Sequence, residues 1–417
     1  MSTLADDLAS RMMSAGQTLI SNLSPWYYNG AFYTNTMGNW NRNTFSTIGL
    51  MATLVKFGSP LSSTYIQMIR EIVNRAIDTS LGSYTAYAAG SNPLGGYMRS
   101  TPDVALIPLW DMYHLGPDRN SMSGDPDVTF GVDDISVLES CECLAWALWQ
   151  LPAGTITDAE RAAWTKLCQD MCDFLDSTPN GITTYWVNGN INAQLCRAYW
   201  TTSMISAPGT VRDKYRDMYE RALLFLFSPI TSNPTRWANY GWKTTVTGNE
   251  YDWSNYEGYF TETNGNPQGG LTPDFDWNYT TVQMDALAGI FVMNRDMRCL
   301  RAINAMSVKI FPRWNTTTWV FNGTGGSRQN NNQSSTWAWH HVQALIGIKS
   351  SNTTYLTPAK ILDSWDHPTG GEGGALQALM SNSTNGFYPP GFFQTWTVTI
   401  ATVREACYQA RLKVAAS

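Results

Sequence analysis

The stretch Phe130-Gly131-Val132-Asp133-Asp134-Ile135 decides how this chain is read. It stands where an irregular polar segment, Gly116 to Val132, gives way to a long apolar helix expected over Ile135 to Leu151. One aspartate at such a junction follows from helix chemistry. Its carboxylate accepts from the exposed amides of the first turn and faces the positive end of the helix dipole. A second aspartate beside it gains less from capping and adds repulsion. As structure alone, the pair is a cap with a solvated neighbour. As chemistry, it is two carboxylates held at the mouth of one helix. Other helices of the chain open in a similar way, and that favours the chemical reading.

Outward from this stretch the same grammar recurs. Apolar helices are expected to begin near residues 43, 103, 134, 192, 278 and 335, with a last one near 397. Long aromatic, Asn- and Gly-rich loops precede them, such as Pro25 to Gly30, Gly95 to Arg99, Tyr185 to Asn190 and Ser228 to Asp276. Short turns follow them and lead into more amphipathic helices, among them Thr64 to Thr79, Gly209 to Phe227 and Asp296 to Ile310. Thr157-Asp158-Ala159-Glu160 has the spacing of a capping box and should open a helix reaching Leu175. Thr316 to Asn332 is Gly- and Asn-rich, with room for a short hairpin.

A helix apolar on two sides, followed by one apolar on a single stripe, is a helical hairpin with an inner and an outer member. Six or seven such hairpins in series close into a ring, with every inner helix starting at the same end. The expected fold is all-α: an (α/α)6-type toroid of helical hairpins, with long aromatic loops at one end. No linker or composition break divides residues 1–417, so one catalytic domain is expected. An open helical array fits less well, because the helix starts are spaced irregularly.

Composition narrows the function. Aromatic residues make up 13% of the 417 residues, including 18 Trp, while charged residues are only 14%. The usual charged share is about a quarter, so the surface must rely on Asn, Thr, Ser, Gln and rings, which suits sugar faces. The net charge of −6 and the lack of a basic run argue against nucleic acid. No run of about 18 apolar residues is present, so no membrane span is expected. Met1 to Asp7 does not read as a leader. Sequons at Asn22, Asn278, Asn315, Asn322, Asn332, Asn352 and Asn382 fit a secreted glycoprotein whose leader is absent from this chain. The seven Cys, most in apolar helical patterns, read as buried thiols with room for one or two disulfides. No paired zinc-ligand spacing occurs, and neither metal nor cofactor is expected.

A closed ring would bring the helix starts together at one mouth. Asp133 and Asp134 are the candidate catalytic residues there. Glycosidic cleavage uses two carboxylates, one protonating the leaving oxygen and the other acting as nucleophile or activating water. Neighbouring carboxylates push their pKa values apart, which suits those two roles. Trp40, Asn41, Arg42, Arg99, Trp186, Asn190, Asn192, Trp253, Trp277, Tyr279, Arg328 and His340 are the candidate substrate-binding residues. Trp146, Trp149 and Trp200 lie inside helical patterns and read as core, and Glu142 reads as structural. The expected partner is a polysaccharide or oligosaccharide, met by a monomer.

On these residues the chain resembles the six-hairpin, (α/α)6, carbohydrate-active enzymes. Within them it is most similar to family-76 glycoside hydrolases, the endo-α-1,6-mannanase group. The likeness rests on Asp133-Asp134, on Asn190-Ile191-Asn192-Ala193 and, with a different residue order, on Trp277-Asn278-Tyr279-Thr280. In pattern it runs from about Phe130 to Ile348. It implies a glycan hydrolase in which Asp133 and Asp134 are nucleophile and acid/base, in either order. Two alternatives stay open. A polysaccharide lyase on the same toroid would act on a uronate polymer through Asn192, Tyr279, Arg328 and His340. Glu250, Asp252, Glu257, Asp274 and Asp276 speak against it, since they would repel a polyuronate. A non-catalytic glycan-binding toroid would keep the rings without needing the carboxylates.

Overall fold

Apolar helices with short turns behind them do form hairpins. The computed structural model describes residues 4–24, 27–28, 31–32, 40–77, 131–176, 189–227, 242–244, 258–260, 277–310, 314–315, 317–318, 320–321 and 358–366. After α1 (Leu4–Leu23), four hairpins follow among these residues. They are α2 (Trp40–Lys56) with α3 (Ser62–Ile77), and α4 (Gly131–Gln150) with α5 (Asp158–Asp176). Then come α6 (Gly189–Ile205) with α7 (Thr210–Phe227), and α8 (Trp277–Asn294) with α9 (Met297–Ile310). The last described helix is α10 (Pro358–Asp366). Among the described residues three short antiparallel ladders accompany them: β1 (Tyr27–Tyr28) with β2 (Ala31–Phe32), β3 (Trp242–Thr244) with β4 (Gly258–Phe260), and β5 (Trp314–Asn315) with β6 (Val320–Phe321). The described protein is mostly helical, in keeping with the expected all-α class.

The hairpins form two layers. α2 packs on α4, α4 on α6, and α6 on α8, while α3, α5, α7 and α9 each pack on their own partner. The sequence dictates which helix goes where. In α4, Leu144, Ala145, Trp146, Ala147 and Leu148 are buried consecutively, so the helix is covered on all sides. In α3, the buried set Tyr65, Met68, Ile69, Ile72, Val73 and Ala76 follows the spacing of a single stripe. Buried side chains from α1 to α9 form one continuous cluster. Full burial of one Leu or Ile is worth roughly 1.5–3 kcal/mol, so packing rather than propensity holds these helices.

Each short turn passes through one left-handed residue: Gly58, Gly154, Gly209 and Arg295. After α2 the Ser59 amide bonds the Leu54 carbonyl (2.9 Å) and the Gly58 amide bonds that of Val55 (3.0 Å), a Schellman cap. The expected capping box is present on α5: the Thr157 amide donates to Glu160 Oε2 (2.7 Å) and the Glu160 amide to Thr157 Oγ1 (3.1 Å).

α1 lies close against α2 because residue 16 is glycine. A Cβ there would stand 3.1 Å from methyls of both Leu50 and Leu54. The other face of α1 meets α10, where Arg11 Nε and Nη2 grip the Asp366 carboxylate at 2.8 and 2.7 Å. Leu362 of α10 packs on the main cluster. An early and a late helix of the chain are thus joined.

Three features differ from expectation. α2, α4 and α6 begin before the expected starts Thr44, Ile135 and Asn192, at Trp40, Gly131 and Gly189. The first four amides of a helix need no intrahelical acceptor, so polar residues and glycine are tolerated there, and an apolar pattern does not mark the true start. α10 was not expected at all, since its nine residues are too few to show a clear period. The aromatic segment Pro25 to Gly30 contains strand β1. The helices expected after Thr101, Ser334, Glu372 and Thr397 lie outside the described residues.

Candidate functional site

Hydrogen bonds between helices fix the direction of the central pair. Arg161 Nη1 donates to the Leu148 carbonyl (2.8 Å), and Cys141 Sγ donates to that of Cys168 (3.5 Å). Later positions on α5 meet earlier ones on α4, so the two run antiparallel. Gln169 Nε2 donates to Ser206 Oγ (3.0 Å) and Cys172 Sγ to Thr202 Oγ1 (3.3 Å), so α5 and α6 are antiparallel as well. Two helices antiparallel to the same third helix are parallel to each other. The starts of α4 and α6 therefore lie at one end of the layer.

The first turns of the inner helices carry the candidate chemistry. Asp133 and Asp134 are the third and fourth residues of α4, in its first turn rather than ahead of it. Asn190 and Asn192 are the second and fourth residues of α6, and Asn192 is buried. Trp40, Asn41 and Arg42 are the first three residues of α2, and Trp277 and Tyr279 are the first and third of α8. Every candidate among the described residues thus falls in the first turn of an inner helix. Arg99, Trp186, Trp253, Arg328 and His340 lie outside the described residues.

Deeper between the helices is an ion pair. Arg197 Nε of α6 stands 2.5 Å from Glu142 Oε1 of α4, with the two side chains only 7% and 13% exposed. Asp134 precedes Glu142 by eight residues and Asn190 precedes Arg197 by seven. At about 1.5 Å of rise per residue, both positions stand roughly 10–12 Å above the pair. α8 closes the third side, since a Cβ at Gly289 would come within 3.0 Å of Arg197 Cδ. Removing two charges from water is costly, and each ion offsets part of that cost for the other.

Other polar groups accompany it. Ser140, Gln194 and Gln283 are buried on α4, α6 and α8. Ser140 Oγ and Gln194 Nε2 have no hydrogen-bond partner among the described residues. Buried polar atoms are nearly always satisfied, so these two call for a partner from elsewhere in the chain or from a ligand. Arg197, Gln194 and Gln283 were not among the sequence candidates. A signal was present: Gln194, Arg197 and Thr201 recur at helical spacing within an otherwise apolar helix. Glu142, expected to be structural, is the partner of Arg197. Trp146 is buried and meets Trp149 edge-on at 4.9 Å, and Trp200 meets Tyr219 at 5.1 Å, all within the helical packing.

No family model matches this sequence, and no curated protein matches it. Among the described residues, no helix is long and apolar enough to cross a membrane. The class defined by the described structure is an all-α protein of serial helical hairpins with a polar inner row.

Proposed function

We propose that this chain is a glycoside hydrolase acting on a polysaccharide or oligosaccharide, with Asp133 and Asp134 as its carboxylate pair. The observation that carries the proposal is the shared end of the parallel helices α4 and α6. It puts two consecutive aspartates beside a first turn holding Asn190 and Asn192. One carboxyl protonates the departing glycosidic oxygen, and the other attacks the sugar or activates water. Asn41, Arg42, Arg99, Asn190, Asn192, Tyr279, Arg328 and His340 hydrogen-bond sugar hydroxyls, and Trp40, Trp186, Trp253 and Trp277 offer stacking faces. The hairpins close into a toroid, a reading supported by the Arg11–Asp366 bridge between α1 and α10. The protein works outside the cell, as a monomer, and carries N-glycans. Asn315, the exposed first residue of a sequon, is a candidate acceptor.

The test is a panel of neutral and acidic glycans scored for new reducing ends and for ultraviolet absorbance. Hydrolysis yields reducing ends without absorbance. Asp133→Asn and Asp134→Asn should each lower turnover by about 100-fold or more while the fold persists. Full activity in both variants sinks the proposal. An absorbing product would instead identify a lyase, and binding without turnover would identify a glycan-binding protein.

A further inference from the structure

Three sulfurs and a hydroxyl meet between α4, α5 and α6, away from the helix starts. Cys141 Sγ of α4 lies 3.6 Å from Cys172 Sγ of α5 and 3.4 Å from Thr202 Oγ1 of α6. Cys172 Sγ also bonds Thr202 Oγ1, at 3.3 Å. Cys168, one turn before Cys172, directs its Sγ to the Cys141 carbonyl at 3.8 Å. All three cysteines are fully buried and all are free thiols. The sulfurs of Cys141 and Cys172 are in van der Waals contact across neighbouring helices. A disulfide bond of about 2.05 Å is within reach of a small side-chain and helix adjustment.

We propose that Cys141 and Cys172 form a disulfide site, closing into a covalent staple between α4 and α5 when the chain folds in the presence of a low-molecular-weight disulfide such as oxidised glutathione. The Cys141 thiolate attacks one sulfur of the small disulfide, forming a mixed disulfide and expelling one thiolate. The Cys172 thiolate then attacks the Cys141 sulfur of that bond and expels the second. Two cysteine thiols are oxidised, two small thiols are formed, and the two cysteine protons end on them. Burial pushes Cys168 and Cys172 up. Cys168, turned toward a main-chain carbonyl, remains a thiol. The staple sits two turns below Asp134 and ties the helix that carries the carboxylate pair to its outer partner. It does not depend on what that pair does.

The experiment uses the full chain. It is unfolded, reduced and refolded in a glutathione redox buffer or in excess reductant, then alkylated under denaturing conditions and mapped by mass spectrometry. The oxidised sample should lose about 2 Da and yield one linked peptide pair, Cys141 to Cys172. Its thermal midpoint should lie about 5 °C above that of the reduced sample. Cys168→Ser should keep the link and Cys172→Ser should abolish it. The wild-type map decides the pairing by itself, so poor folding of a variant leaves the test intact. Full alkylation of Cys141 and Cys172 after oxidative refolding overturns the proposal, and so does a link from Cys141 to Cys168.

Discussion

The inner helices α2, α4, α6 and α8 and the outer helices α3, α5, α7 and α9 handle polar groups in opposite ways. Among the described residues, the buried polar side chains, such as Thr47, Ser140, Gln194, Arg197 and Gln283, sit on inner helices or on the turns directly after them. The outer helices instead carry a belt of partly exposed ion pairs. Arg70 of α3 meets Glu160 of α5 (2.7 Å), and Asp173 and Asp176 of α5 meet Lys214 (2.6 Å) and Arg221 (3.0 Å) of α7. Glu220 of α7 meets Arg298 of α9 (2.9 Å). Exposed pairs are screened by water and salt and are worth little each, so the belt aligns neighbouring helices at small cost. The inner Glu142–Arg197 pair has no such screening. A chain that keeps charge in its inner layer bears a stability cost there.

The sharpest way to break this contrast is to remove one inner charge. Glu142→Ala should cost about 3–5 kcal/mol in urea unfolding, because it removes a carboxylate 2.5 Å from the buried Arg197 guanidinium. The double variant Glu142→Leu with Arg197→Met should recover most of that loss. A single-variant cost no larger than that of a belt pair would erase the distinction between the layers.

The next test concerns the space around Arg197. Gly→Ala inside a helix ordinarily stabilises by about 1 kcal/mol. At Gly289 the new Cβ would crowd Arg197 Cδ at 3.0 Å and Nη1 at 3.5 Å. Gly289→Ala should therefore destabilise, by about 1–3 kcal/mol in thermal unfolding. A stabilised variant would mean that the pair has room to move.

Asp296 lies in the turn between the layers and should behave in between. It accepts from Tyr219 Oη (2.7 Å) and from Arg298 Nη2 (2.6 Å). Burial on its own raises its pKa, but the hydrogen bonds from Arg298 and Tyr219 outweigh it and hold the carboxyl below the ordinary range. A carboxyl depressed in the folded state stabilises above its unfolded pKa of about 3.9, and that contribution is lost as pH falls through the folded value. Asp296→Asn should cost about 1–2 kcal/mol at pH 7 and should lose less stability than wild type between pH 5 and 2, roughly. Parallel pH–stability curves would refute the assignment.

The smallest effect belongs to the belt. Arg221→Ala should change stability by less than about 1 kcal/mol, and the difference should shrink further in 1 M salt. A larger, salt-independent loss would mean that the outer layer also depends on buried charge.

Much of this was legible in the residues. The alternation of all-round apolar and one-stripe helices, the turn glycines and the Thr157–Glu160 box are local signals, and they predicted the hairpins. Asp133, Asp134, Asn190 and Asn192 were picked out as an odd concentration of polar groups at helix starts. The helix boundaries were off by three or four residues, because polar first turns carry no apolar period. The Glu142–Arg197 pair has no local signature, because its members are 55 residues apart in the chain and meet only when α4 and α6 pack.

By itself, the sequence determined helices α1 to α9, the pairing of α2 to α9 into hairpins and the placing of polar residues at the inner-helix starts, since periodicity, caps and turn residues act over a few positions. Tertiary structure alone decided that α4 and α6 run parallel, that Arg11 reaches Asp366, and that Cys141 and Cys172 from two helices converge on Thr202. Those outcomes follow from how side chains pack between helices far apart in the chain, and no local pattern encodes them.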